Sequence, residues 1–338
     1  MVTITNSSLA LLFCILCCVC WGSWGNLQKM VSNAKWTFEL FYWDFTWGIF
    51  LTGVVSSILF GCLGSGEHTL LLDLQRMDLN SMGWAVTGGI VWNFGNIFFT
   101  AALALAGMAI GFPIGGGIGW IGGILFNYTL IMLAGQSYPG NEMFLWTGII
   151  FAVFAIISCG LVYTKNSTSK ATHPAKGIVM AAISGIGFAF FYGFVVKSLD
   201  PSIVTGGTGS LAPTTGALFF SIGVLLSSPL FNGIAMKKAR LTFKDYLKLG
   251  NTRTHLIGIG GGLVWMTGMV FSQLSNTCPD INAAISYGLS NASPLVAMIW
   301  GIFVWKEFKN TSKGTNYMIA AMFAFFSIAL VLITISNS

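Results

Sequence analysis

The chain is short of charge. Only 26 of its 338 residues are Lys, Arg, Asp or Glu, about 8%, where a soluble domain carries roughly a quarter. So few charges cannot cover a water-soluble globule of this length, which excludes an ordinary cytosolic enzyme and a disordered scaffold. Histidine is scarce too. His68, His173 and His255 stand far apart, and no His/Cys/carboxylate cluster has metal-ligand spacing, so neither a metal nor another cofactor is expected. No Walker-type phosphate loop occurs, which excludes ATP as a driving force. The formal net charge is +6, yet the basic residues sit in short gaps between apolar runs. That pattern argues against nucleic acid and for orientation in a lipid bilayer.

What is present is apolar: 55% of residues are hydrophobic and mean hydropathy is +0.78. A bilayer core takes about 20 apolar residues per helix. Ten such runs follow one another, at Ser8–Met30, Glu39–Leu63, Met82–Ala106, Met108–Ala134, Met143–Tyr163, Gly177–Lys197, Leu211–Met236, His255–Leu274, Ile281–Trp305 and Tyr317–Ile335. The fold class is therefore an all-α polytopic membrane protein with ten transmembrane helices. Of the seven cysteines, Cys14, Cys17, Cys18 and Cys20 crowd the first run. Their C-x-x-C spacing has no companion pair, and free cysteine packs as a small hydrophobe. No positive charge precedes that run and no small-residue cleavage site follows it, so it is expected to remain as a span.

Fourteen of the 16 basic residues follow spans one, five, seven and nine; only Arg76 and Lys197 lie on the other side. The bias places both termini outside the cytoplasm of a multi-pass inner- or plasma-membrane protein.

The chain also repeats itself. Gly88-Gly-Ile-Val-Trp92-Asn-Phe-Gly95-Asn-Ile-Phe98 in span three matches Gly261-Gly-Leu-Val-Trp265-Met-Thr-Gly268-Met-Val-Phe271 in span eight at six of eleven positions. Ala109–Phe112 echoes Ala284–Tyr287, and Gly25–Lys29 echoes Gly193–Lys197, in the same order. Residues 1–163 then form a first five-helix repeat, 164–176 a cytoplasmic linker and 177–338 a second repeat. With an odd number of spans in each half, the halves insert upside down relative to each other. Such 5+5 inverted repeats are characteristic of transporters, with the solute near the midplane.

These residues carry a resemblance. The five-plus-five plan, Trp21-Gly-Ser-Trp24 and the Gly-Gly-x-Val-Trp elements resemble the drug/metabolite transporter superfamily. Within it, Trp92-x-x-Gly95-Asn-Ile97, Ala106–Gly111 and Gly301-Ile-Phe-Val-Trp-Lys306-Glu307 are similar to the rhamnose–proton symporters. The Trp-Gly-Ser-Trp opening and the Trp-Gly-Ile…Glu close are also similar to the glucose/ribose uptake proteins and the ureide permeases. The resemblance implies a secondary transporter, not an enzyme, that imports a small polar metabolite. A sugar brought in by proton symport comes first, a ureide or nucleobase-like solute second, and drug or metabolite export third. The chain would work as a monomer or homodimer.

Polar residues inside the spans mark a candidate solute cavity: Asn26, Asn93, Asn96, Gln273, Tyr287, Ser290 and Asn291 supply uncharged donors and acceptors. Trp21, Trp24, Trp92 and Trp265 supply flat apolar faces. The competing reading is interhelical hydrogen bonding. Asp44 is the candidate proton-coupling residue, because a carboxylate within a span faces either a partner or a wet cavity. Its structural alternative is an ion pair with Lys29 or Lys35. Lys29 and Lys197, at the ends of spans one and six, either snorkel to headgroups or guard the two mouths. Gly117-Ile-Gly119-Trp-Ile-Gly122 has the form of a dinucleotide string but lies within an apolar run, so it reads as close helix packing.

Overall fold

The computed structural model describes residues 2–63, 70–76, 78–133, 137–138, 140–165, 174–204, 207–279, 289–309 and 311–336. Among these, nine helical segments are long and apolar enough to cross a membrane. With no water in the bilayer core, a spanning backbone must satisfy its hydrogen bonds internally, which these sequences do as helices. The first span is α1 (Ser7–Ser23) and α2 (Gly25–Val31), joined through helical backbone at Trp24. There follow α3 (Phe38–Leu63), the short α4 (Leu70–Arg76), α5 (Leu79–Ala106), α6 (Met108–Gly111), α7 (Gly117–Leu133) and α8 (Glu142–Lys165). The second half holds α9 (Pro174–Ser198), α10 (Pro213–Lys238), α11 (Phe243–Leu249), α12 (Thr252–Ser275), α13 (Ser293–Ile299) and α14 (Lys313–Ile335).

The tenth expected span, Ile281–Trp305, is seen only from residue 289. There a turn at Asn291 and Ala292 precedes α13, and a π-helical turn over Trp300–Val304 follows it. Proline lacks the N–H a continuous helix needs, and Pro294 stands at the restart. A second π-helical turn, Phe112–Gly116, contains Pro113 and joins α6 to α7.

Helix starts are capped by side chains at the expected positions. Asn6 Oδ1 accepts from Leu9 N at 2.9 Å, and Asp78 Oδ1 from Ser81 N at 2.7 Å. Asn251 and Thr254 form a capping box.

The packing is reciprocal between the halves. Helix α5 lies along α9, and α12 along α1; α10 packs on α5, and α3 on α12; α7 packs on α9, and α13 on α1. Helices α3 and α10 pack on each other, as do α8 and α14. The matched glycines explain the closeness. A Cβ on Gly89 would sit 2.1 Å from the Phe220 carbonyl oxygen, and one on Gly262 would sit 2.0 Å from that of Phe45. The glycine-rich string also packs: Gly115, Gly119 and Gly122 abut Ser184, Phe188 and Ala189 of α9. Large apolar side chains such as Val55, Ile157, Leu226 and Leu230 are exposed on outward faces, where lipid replaces water.

Candidate functional site

The two tryptophans of the repeated motif meet at the centre. Trp92 of α5 and Trp265 of α12 have ring centroids 4.0 Å apart. Trp21 stacks on Trp265 at 5.8 Å and donates its Nε1–H to the Trp265 carbonyl at 3.1 Å. Trp24 leans on Phe45, Phe99 and Phe112. Beside these rings lies a cavity of about 70 Å³, with Trp21, Trp24, Trp92, Trp265, Asn96 and Asn291 in its wall. Trp120, Tyr192 and Ser293 complete the polar part of the lining. A volume of this size holds about two waters, well below the several hundred Å³ typical of ligand sites. The rings must therefore part to admit a solute.

Two polar groups of the wall are unsatisfied. Asn96 donates to Tyr42 Oη at 3.3 Å, but its Oδ1 is buried with no partner among the described residues. The buried indole N–H of Trp120 has none either. Leaving a buried donor or acceptor unpaired costs about 1–3 kcal/mol. Both atoms belong to residues of the cavity wall, and each is shielded from the cavity while the rings are closed.

The remaining expected residues divide. Asn93, one turn before Asn96, is turned away from the cavity. Its Oδ1 accepts from Tyr42 Oη at 2.6 Å, and its Nδ2 donates to Val224 O, Ser227 Oγ and Ser228 Oγ. That binds α3, α5 and α10 together, the interhelical reading. Asn26 is likewise committed, donating to Ser23 O and accepting from Trp305 Nε1. Gln273 is buried outside the cavity lining, with both side-chain polar atoms unpartnered among the described residues. Ser290 is buried beside the Cys17 thiol, and Tyr287 lies outside the described residues.

Asp44 has neither Lys29 nor Lys35 as a partner. Its buried carboxylate accepts from Tyr246 Oη at 2.6 Å, and His255 Nδ1 lies 3.0 Å from both of its oxygens. Trp36 packs on both His255 and Tyr246. A Cβ on Gly258 would sit 2.4 Å from that of Asp44, so glycine there lets α12 close over the carboxylate. Nothing local in the sequence points to His255, because its partner stands 211 positions earlier. Tyr246, on the surface helix α11, is held well above the usual phenol range by burial and by the carboxylate it donates to. Lys29 pairs instead with Glu307 and lies 4.8 Å over the Trp305 ring; Lys197 lies 4.5 Å over Trp84.

Among the described residues, no group of three or more His, Cys, Asp or Glu could hold a metal ion.

Comparison with known proteins gives this architecture relatives. Residues 171–336 match the family model described as ureide permease. Ureide permease 1 of Arabidopsis thaliana is 22% identical, with 88% of each chain covered. Ureide permeases 5 and 4 of the same plant are 25% and 27% identical, each over 48% of this chain. The chain spans 41% of the length of those two relatives. A solved crystal structure of a protein superposes with a TM-score of 0.55 at 14% identity, covering 96% of this chain and 97% of its own, and so shares the fold. The chain is an integral membrane protein similar to the ureide permeases.

Proposed function

We propose that the protein is a secondary carrier for a small, flat, polar solute of the ureide class, built as a 5+5 inverted repeat and driven by protons. The observation that carries this reading is the central cavity, where the matched tryptophans of the two halves meet beside the unpaired Asn96 Oδ1 and Trp120 N–H. A ureido group presents N–H donors and a carbonyl acceptor in one plane, complementary to that pair, and tryptophan faces suit a planar body. The reciprocal helix packing supports the inverted repeat. The similarity to proteins named ureide permeases puts the ureide class ahead of the sugar that motif resemblance had placed first.

Asp44 and His255 would hold the coupling proton. With one shared proton the pair has no net charge; without it the pair carries −1 at a site about 9 Å inside the start of α3. A net charge there is costly, so the protonated pair is the form that can be occluded.

The test is uptake into proteoliposomes of radiolabelled allantoin, a cyclic ureide, beside radiolabelled glucose, with and without an inward proton gradient. Gradient-stimulated ureide accumulation that Asp44→Asn abolishes is the expected result. Glucose accumulation without ureide uptake would restore the sugar reading, and undiminished gradient-driven uptake by Asp44→Asn would remove the proton site.

A further inference from the structure

The cavity is closed very differently at its two ends. At the Lys29 end, three side chains of the first span, each three residues after the last, bond to the end of span nine. Ser23 Oγ accepts from Trp300 Nε1 at 2.9 Å, Asn26 Oδ1 accepts from Trp305 Nε1 at 2.5 Å, and Lys29 pairs with Glu307. Residues three apart share a helix face, so these contacts form one polar seam.

Glu307 extends the seam to a third element. Its Oε1 accepts from Met108 N at 3.0 Å and its Oε2 from Ala109 N at 2.8 Å, the free donors at the start of span four. The sequence is shaped for this. Gly107 has φ +84°, and a Cβ there would lie 2.9 Å from Glu307 Oε2. Lys306 adopts φ +52°, which turns the chain so that Glu307 N donates to Gly301 O at 3.0 Å. One carboxylate thus ties spans one, four and nine together.

At the other end, span six meets span four through Gly119 on Phe188, Gly122 on Ala189 and Gly193 on Phe126. Tyr192 there accepts from Asn276 Nδ2 at 2.7 Å. Tyr192 also lines both the central cavity and a neighbouring pocket of about 240 Å³ beside Ser202 and Thr277. Among the described residues, Tyr192 is the side chain that both cavities share.

We propose that Glu307 is the gate residue of the Lys29 end: the cavity exchanges solute past Tyr192 while the Lys29–Glu307 pair holds, and opens at the Lys29 end only when that pair breaks. The proposal rests on the reading of the chain as a carrier, and it assigns the seal to Glu307 at this position, paired with Lys29, rather than to any pair of opposite charges. The Lys29→Glu, Glu307→Lys double variant restores opposite charges but not the seal. A lysine at 307 cannot accept from Met108 and Ala109, and it places a cation at a helix N-terminus.

The experiment is cysteine accessibility in proteoliposomes. Ser293→Cys, in the cavity wall, reports labelling by a membrane-impermeant maleimide from each face. The chain with its native cysteines serves as blank, and Lys248→Cys on exposed α11 identifies the face that carries Lys29. Adding Glu307→Ala is expected to raise labelling from that face by about tenfold or more, the factor given by losing one charge-assisted hydrogen bond. The charge-swapped double variant is expected to label as fast as Glu307→Ala, and Lys29→Arg as slowly as the parent. If Glu307→Ala does not elute as a folded protein, Lys29→Met, which leaves both backbone donors capped, carries the same expectation. Unchanged labelling from the Lys29 face, or resealing by the charge swap, would overturn the proposal. No solute is added, so failure here and failure of the ureide assignment are read independently.

Discussion

Replacing Gly262 with alanine forces spans two and eight apart. The new Cβ would lie 2.0 Å from Phe45 O and 2.7 Å from Ile49 N, whereas real Cβ contacts stay beyond 3.0 Å. Both obstacles are backbone atoms of α3, so no rotamer can relieve the clash, and the helices must separate by about 1 Å. Overpacking of this kind costs about 1–3 kcal/mol or more, and a gap of that size forfeits about a quarter to a half of the dispersion along the seam. Alanine returns at most about 1 kcal/mol of helix propensity. The net effect is a loss. Gly89→Ala is its counterpart, 2.1 Å from Phe220 O on α10, and has the same sign. Gly233→Ala is the control: no atom lies within 4 Å of its Cβ, so only the propensity gain remains. The assay is thermal unfolding of detergent-solubilised protein followed by size-exclusion elution. Gly262→Ala and Gly89→Ala lower the midpoint, while Gly233→Ala holds or raises it. Equal midpoints for Gly262→Ala and Gly233→Ala would refute the close-packing argument.

Two further outcomes follow from individual side chains. Asn93→Ala removes a residue bonded to Tyr42, Val224, Ser227 and Ser228, so it lowers the unfolding midpoint by an amount equivalent to about 1–3 kcal/mol. Asp78 is held down to about 2 by the Ser81 backbone N–H, with the Ser81 and Ser210 hydroxyls adding to it. Its folded-state pKa is depressed, so its stabilisation is present above the ordinary carboxylate range and is lost as pH falls from about 4 towards about 2. Asp78→Asn keeps a good cap and flattens that acid limb of the unfolding profile.

The membrane class and most spans are legible in the sequence because apolar length is a local property. The recurring motif is legible for a related reason. Gly-Gly-x-Val-Trp recurs because each copy performs one task, admitting a neighbouring backbone and presenting a ring at the centre. Partnerships were not legible. Asp44 stands out as a carboxylate in an apolar run, but nothing local says that His255 and Tyr246, some 200 positions on, converge on it. Glu307 reads as a span-end charge until Gly107 brings the start of span four beneath it. Asn93 and Asn96 differ by only about 60° around a helix, yet one falls in the α10 seam and the other at the cavity. Helical spacing places residues on a face, while the crossing of neighbouring helices decides what that face meets.

The central claim is that Asn96, in the tryptophan-lined cavity, meets the solute. Its most direct test is the half-saturating allantoin concentration for uptake by Asn96→Ala proteoliposomes beside the parent. Loss of one hydrogen bond is expected to raise that concentration about two- to tenfold, with the unfolding midpoint held. An unchanged half-saturating concentration in a folded Asn96→Ala protein would contradict the claim and move the solute elsewhere.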